Sequence, residues 1–344
     1  MQGGPRTTQR KSDFLNTAIG VQGFNDGLDW KLSLSHGVSK VKNSDSNYFD
    51  ANKWVQATGD GSINPTVTTN SQALVDGLKV RPMRTGESKL TTVNGQVSGE
   101  LFKLPAGSLK YAVGFAYNKE SLDDTPDELT QQGLVVGSIQ QAAVSAERNF
   151  SAVFAELQVP VLKELEAQLA VRYDRYPGST ATSPKVGLKY SVLPTLALRG
   201  SYTQSFRAPV LKQLYGAREE GATTGTEPDL CRILGVPVTA QATGAEACLA
   251  KAFQINGSNP NLGPEKGKTF NLGVIFEAGQ NFNASIDWWK IKKTNDISQP
   301  TLSSAIEGGF FEKIGPRINI FTNLQNIAQR ETAGVDLDAR FRLR

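Results

Sequence analysis

No apolar run in this 344-residue chain approaches the ~20 residues that a membrane-crossing helix needs. Crossing by strands stays open, because barrel strands show lipid only every second residue and leave a weak hydropathy trace. A single histidine, His36, and two cysteines, Cys231 and Cys248, are too few for a His/Cys metal centre. No metal ligand and no cofactor is assigned. There is no nucleophile elbow, and His36, on the apolar side of a predicted strand beside Val38, is read as interfacial rather than catalytic. The chain is therefore not read as an enzyme, and no catalytic residue is assigned. Its 37 basic residues are scattered among 33 acidic ones and form no block, so the footprint of a nucleic-acid binder is missing. The start, Met1-Gln2-Gly3-Gly4-Pro5-Arg6, lacks the apolar core of an export signal. For an exported protein this predicts a true start upstream.

What is present is alternation. Leu165, Ala167, Leu169, Val171 and Tyr173 share one face of a segment whose other face carries Glu166, Gln168, Arg172 and Asp174. Pro184, Val186, Leu188, Tyr190 and Val192 repeat it against Lys185, Gly187, Lys189 and Ser191. Val335, Leu337, Ala339, Phe341 and Leu343 do so against Asp336, Asp338, Arg340 and Arg342. Side chains alternate along a strand, so each segment predicts a sheet with one apolar and one polar face. About eleven such strands are expected, each near the ~9–11 residues that cross a bilayer when tilted.

The connections separate a membrane barrel from a soluble sheet. Short links at 25–27, 105–107, 161–164, 193–194 and 278–280 alternate with long ones at approximately 40–87, 118–147, 206–268 and 297–330. Tight turns at one end and large loops at the other mark an all-β, antiparallel, up-and-down transmembrane barrel. The link at 177–183 breaks the rule by being short on the long side. Trp30, Tyr111, Tyr117, Tyr173, Tyr176, Tyr190, Tyr202, Trp288 and Trp289 concentrate on strands, as interfacial girdles or as core aromatics. Cys231 and Cys248 share the longest loop and, in an oxidising compartment, are expected to form a local disulfide worth roughly 3 kcal/mol; two free thiols are the alternative.

Four ordered motifs add a resemblance. Phe206-Arg207-Ala208-Pro209 ends a strand; Asn259-Pro260-Asn261-Leu262-Gly263-Pro264-Glu265 leads into another. Asp287-Trp288-Trp289-Lys290-Ile291 with Asp296 follows, then Asn323 and Asn326 ahead of Gly334-Val335-Asp336. In type, order and spacing these segments resemble the barrel of TonB-dependent outer-membrane receptors. The family-motif residues Phe206, Arg207, Ala208, Pro209, Asn259, Pro260, Leu262, Pro264, Glu265 and Gly334 are expected in structural or plug-facing roles, with ligand-contact residues unknown.

The resemblance implies capture and energised import of a scarce nutrient such as a metal-siderophore complex, corrinoid, haem or saccharide. It implies a place in the outer membrane of a Gram-negative cell, with outer-membrane lipid, a small-molecule nutrient and the TonB energy-coupling complex as partners. In the family a plug domain sits inside the barrel and makes the TonB contact. Strands begin here almost at once, so residues 1–344 are read as a partial barrel domain with neither plug nor final strands. About eleven strands is half of the 22 in plugged transporters, and the piece alone is expected not to transport. A passive porin-like or structural barrel and a soluble β-rich binding protein remain as alternatives.

Overall fold

Alternating apolar and polar residues are satisfied together by an extended strand whose two faces meet different media. The computed structural model describes residues 3–222, 252–279, 281–314 and 317–343. Eleven long strands take up the pattern: β1 (Thr7–Asn25), β2 (Leu28–Ser46), β3 (Met83–Leu104), β4 (Gly107–Pro126), β5 (Val144–Pro160), β6 (Leu165–Tyr176), β7 (Ser179–Leu193), β8 (Leu196–Arg207), β9 (Glu265–Ala278), β10 (Phe282–Ser298) and β11 (Gln325–Phe341). They form one sheet in which spatial order is sequence order, and every neighbouring pair is antiparallel. Among the described residues β1 and β11 are each paired on one side only, so the sheet is open.

Register gathers the apolar residues into rows. Val21, Leu32, Gly95, Phe115, Val153 and Tyr173 are successive partners from β1 to β6. Ala167, Leu188, Gly200, Leu272, Trp288 and Val335 continue the same face from β6 to β11. This face is bare: Leu32 is 46%, Phe115 45% and Leu272 60% exposed. A continuous apolar surface of this extent is foreign to soluble monomers and is what a hydrocarbon environment requires. No described helix is long and apolar enough to cross a membrane, which says nothing of crossing by strands.

The strands turn tightly at one end. Asp26 (φ 49°) and Gly27 (φ 80°) make a two-residue link between β1 and β2, with both residues in the left-handed region that this hairpin demands. At the other end the connections run over 47–82, 127–143, 208–264 and 299–324, while β6 and β7 are joined by Pro177 and Gly178 alone. These stretches are narrower than the alternation suggests. Strand β3 has 22 residues and β4 has 20, about twice the ~9–11 that span a bilayer. The excess projects on the long-connection side. There both faces meet water, apolar alternation lapses, and backbone pairing alone carries the strand onward, as from Lys40 to Ser44 opposite Glu87 to Met83.

The long connections are folded. Residues 47–82 hold the helices Ala51–Gly59 and Gln72–Gly77 over a small core of Phe49, Ile63, Val75 and Leu78. Asp50 caps the first helix by accepting from the amides of Asn52 (2.9 Å) and Lys53 (3.1 Å). Beside the second helix, the Lys79 ammonium 2.8 Å from Asp76 holds that carboxyl below its usual range. A second core of Ala252, Ala305, Ile306, Ile318 and Ile320 joins two different connections. There a four-stranded sheet pairs Glu219–Ala222, Ala252–Asn256, Arg317–Phe321 and Phe311–Ile314.

Candidate functional site

The face opposite the apolar rows is lined with paired charges. Arg172 and Asp174 lie two residues apart on β6, hence on the same face, and the guanidinium reaches the carboxylate at 2.9 Å. Asp174 is only 2% exposed beneath it. Arg199 on β8 and Asp287 on β10 are two strands apart, yet Arg199 Nε donates to Asp287 Oδ1 at 2.7 Å. The residue registered between them on β9 is Gly273. A β-carbon there would stand 2.0 Å from Asp287 Oδ1 and 3.1 Å from Arg199 Nε. Glycine leaves the room that lets the fork-shaped pair close over the strand.

At the long-connection end of the polar face the motif residues converge. Arg207, last on β8, forks onto Glu265, first on β9, at 2.6 and 2.5 Å. Glu265 is 1% exposed and also receives Lys293 at 2.8 Å and the Ile297 amide at 3.0 Å. A register shift near Asn295 (φ 55°) returns Asp296 to the polar face, where it accepts from Lys293 at 2.7 Å. The buried carboxylate thus has two cations and a backbone donor around it, as burial of its charge requires.

Asn259 and Asn326 brace the two connections beside this cluster. Asn259 Nδ2 donates to the Leu324 carbonyl (2.8 Å), and its Oδ1 accepts from the Asn261 amide (2.9 Å). Asn326 accepts from the Gly263 amide (2.8 Å) and donates to the Gly263 (2.9 Å) and Asn295 (2.8 Å) carbonyls. Pro260 is exposed at the turn, Leu262 is buried beside it, and Pro264 leads directly into Glu265. Phe206 meets the Tyr176 ring edge-on at 6.0 Å, and Phe150 stacks on Tyr176 at 4.6 Å. Ala208 and the buried Pro209 turn the chain into the helix Leu211–Tyr215, and the Pro209 carbonyl accepts from Arg148 at 2.7 Å. Arg148 is ion-paired with Glu120 at 2.5 Å. Gly334 packs against the Trp289 indole, where an added β-carbon would lie 2.5 Å from Cζ2.

The structure therefore brings Arg207, Glu265, Asn259 and their neighbours into one cluster and sets Gly334 apart, on β11. Cys231 and Cys248, with the expected disulfide, lie outside the described residues. Arg148, Glu120 and Lys293 belong to the cluster but carry no motif signal: Arg148 and Glu120 meet across neighbouring strands, and Lys293 reaches Glu265 from β10. Trp289 and Tyr176 lie on the polar face rather than in a girdle. Trp30, Tyr111, Tyr117, Tyr173, Tyr190, Tyr202 and Trp288 are on the apolar face, by register. Among the described residues no group of His, Cys, Asp and Glu is arranged to hold a metal ion.

A family model described as TonB dependent receptor-like, beta-barrel matches residues 2–344. No curated protein matches. Among solved structures, the RagAB peptide transporter superposes with a TM-score of 0.58 at 16% identity, covering 98% of this chain and 35% of that one. The FpvAI–pyocin S2 complex gives 0.56 at 13%, covering 96% and 39%. The siderophore receptor PirA from Acinetobacter baumannii gives 0.53 at 12%, covering 97% and 59%. The present chain spans less than two thirds of each of these chains. At such identities the likeness is one of fold.

Proposed function

Because the chain belongs to the TonB-dependent receptor β-barrel family, we propose that it forms the wall and outward loops of a Gram-negative outer-membrane receptor that imports a scarce nutrient. The observation that carries this reading is the division of one eleven-stranded sheet into a bare apolar face and a face of closed ion pairs. One face suits lipid, the other an aqueous or protein-filled lumen. The cargo is of the family's kind, a metal-siderophore complex, corrinoid, haem or saccharide, gripped by the long connections from outside. The motif residues around Glu265 hold the loop bases to the wall, so that movement of a plug in the lumen does not unseat them. Energy reaches that plug from the TonB complex.

Uptake in this scheme needs a closed wall. Strands β1 and β11 both run from the long-connection end to the tight-turn end, so joining them directly makes a parallel seam in an antiparallel sheet. Antiparallel closure requires an odd number of further strands between the two edges, and unpaired edges are not tolerated in hydrocarbon. The eleven-stranded sheet by itself is therefore not a transporter. Two measurements test the proposal. Cells making the receptor that contains this chain should accumulate a labelled nutrient only while energy coupling is intact; accumulation unaffected by its dissipation would identify a passive channel instead. The 344-residue chain produced alone should show no heat-modifiable gel migration in outer membranes.

A further inference from the structure

The apolar face is not symmetric from end to end. On the tight-turn half of each strand it carries no charged residue, running instead through Tyr111, Leu157, Tyr190, Phe276 and Phe282 to Phe341. Beyond the apolar rows on the other half, charges appear. Most are matched by neighbours: Lys40 by Glu87 at 2.8 Å, Lys119 by Glu147 at 3.1 Å. Among the described residues Lys42, opposite Lys11, and Arg175 also lack an ion pair, but the densest excess lies on strands β9 and β10. Lys266 and Lys268 on β9 and Lys290 and Lys292 on β10 share this face just above Phe270 and Trp288, and Lys268 is registered directly opposite Lys292. One acid, Glu331, stands among them and is engaged by Lys290 at 2.7 Å. Lys266, Lys268 and Lys292 are exposed and make no ion pair among the described residues.

Like charges directly opposite on one sheet face destabilise it, so four lysines around one carboxylate need an outside anion. They stand where the apolar rows end, at headgroup depth on the long-connection side. We infer that Lys266, Lys268, Lys290 and Lys292 form a binding site for the phosphate groups of anionic lipid headgroups in that leaflet. The inference rests on the outer-membrane reading above. Primary ammonium groups on flexible stems suit phosphate as point charges and reach past the aromatic collar to meet it. Occupied, the site fixes the depth and tilt of the wall at β9 and β10, directly behind the Glu265 cluster on the opposite face.

The receptor extracted from outer membranes into neutral detergent is titrated with mixed micelles containing phosphatidic acid, or the matching diacylglycerol. Near an anionic surface each lysine strengthens binding about fivefold. The double variant Lys268→Gln/Lys292→Gln should then bind phosphatidic acid roughly 25-fold more weakly, while thermal stability is unchanged or raised. The pair Lys40→Gln/Lys119→Gln, whose charges are already matched, should lose under about threefold. Equal losses in the two variants, or no preference for phosphatidic acid over diacylglycerol, would overturn the site. So would full competition by millimolar inorganic phosphate, which would make it a free-anion site. A receptor that stays in the aqueous phase without detergent would overturn the membrane reading and this inference together.

Discussion

Gly273 shows how much a single missing side chain does on the polar face. Arg199 and Asp287 close over it from strands on either side, and a methyl group would occupy the carboxylate's position. Gly273→Ala should separate the pair and cost about 1 kcal/mol, the upper range for a pair half open to water. Gly200, on β8, lies on the apolar face, and alanine there should cost less; equal losses in urea unfolding of the two variants would dismiss the steric account. Glu265 carries more. Removing its carboxylate in Glu265→Ala strips Arg207 of its acid, leaves Lys293 only Asp296 and orphans the Ile297 amide. With Arg207 half exposed, roughly 2 kcal/mol is expected. The accompanying sign is increased protease access at the start of β9, and Glu265→Gln should recover only the amide contact.

At the scale of elements, the two-residue period was enough to place the strands and the sense of their faces, because lipid and water impose opposite demands on neighbouring positions. It was not enough to end them. Past the bilayer the demand vanishes, so β2, β3 and β4 continue through Lys42, Arg84 and Asp124 with no pattern to announce it. The motif residues announced Arg207 and Glu265 but not Lys293 or Arg148, whose partners lie across the sheet. Arg172 and Asp174, two apart on one strand, were readable as a same-face pair; Arg199 and Asp287 were not, since only register brings them together. Nor did the sequence disclose that the connections fold. Ile320 is fully buried in the small sheet shared by two of them. Ile320→Ala should cost about 3 kcal/mol locally. Limited proteolysis should then cut within 299–324 while the eleven strands stay protected. Strand-wide loss of protection would mean that the loops and wall fold as one unit.

For the whole molecule, the decisive question is which medium meets the apolar rows, and exposure alone does not answer it. Leu272 is 60% exposed in the middle of β9, its row running on through Trp288 and Val335. In water, replacing so exposed a leucine by arginine changes stability by at most about 0.5 kcal/mol. In hydrocarbon, an arginine on the lipid side near the midplane costs about 2–4 kcal/mol, and the penalty falls to about 0–1 near the interfaces. Leu272→Arg should therefore destabilise the assembled receptor strongly. Gln204→Arg, on the same face but at interfacial depth and directly opposite Lys268, should cost about 1 kcal/mol, most of it from the facing lysine. Asn271→Arg, one residue from Leu272 but on the polar face, should fall near zero. This three-way contrast, read from unfolding midpoints in lipid, separates depth from face. Uniformly small effects would place the whole sheet in water and remove the basis for a membrane wall. A steep penalty at Leu272 alone is what a sheet with one lipid face and one wet face must give.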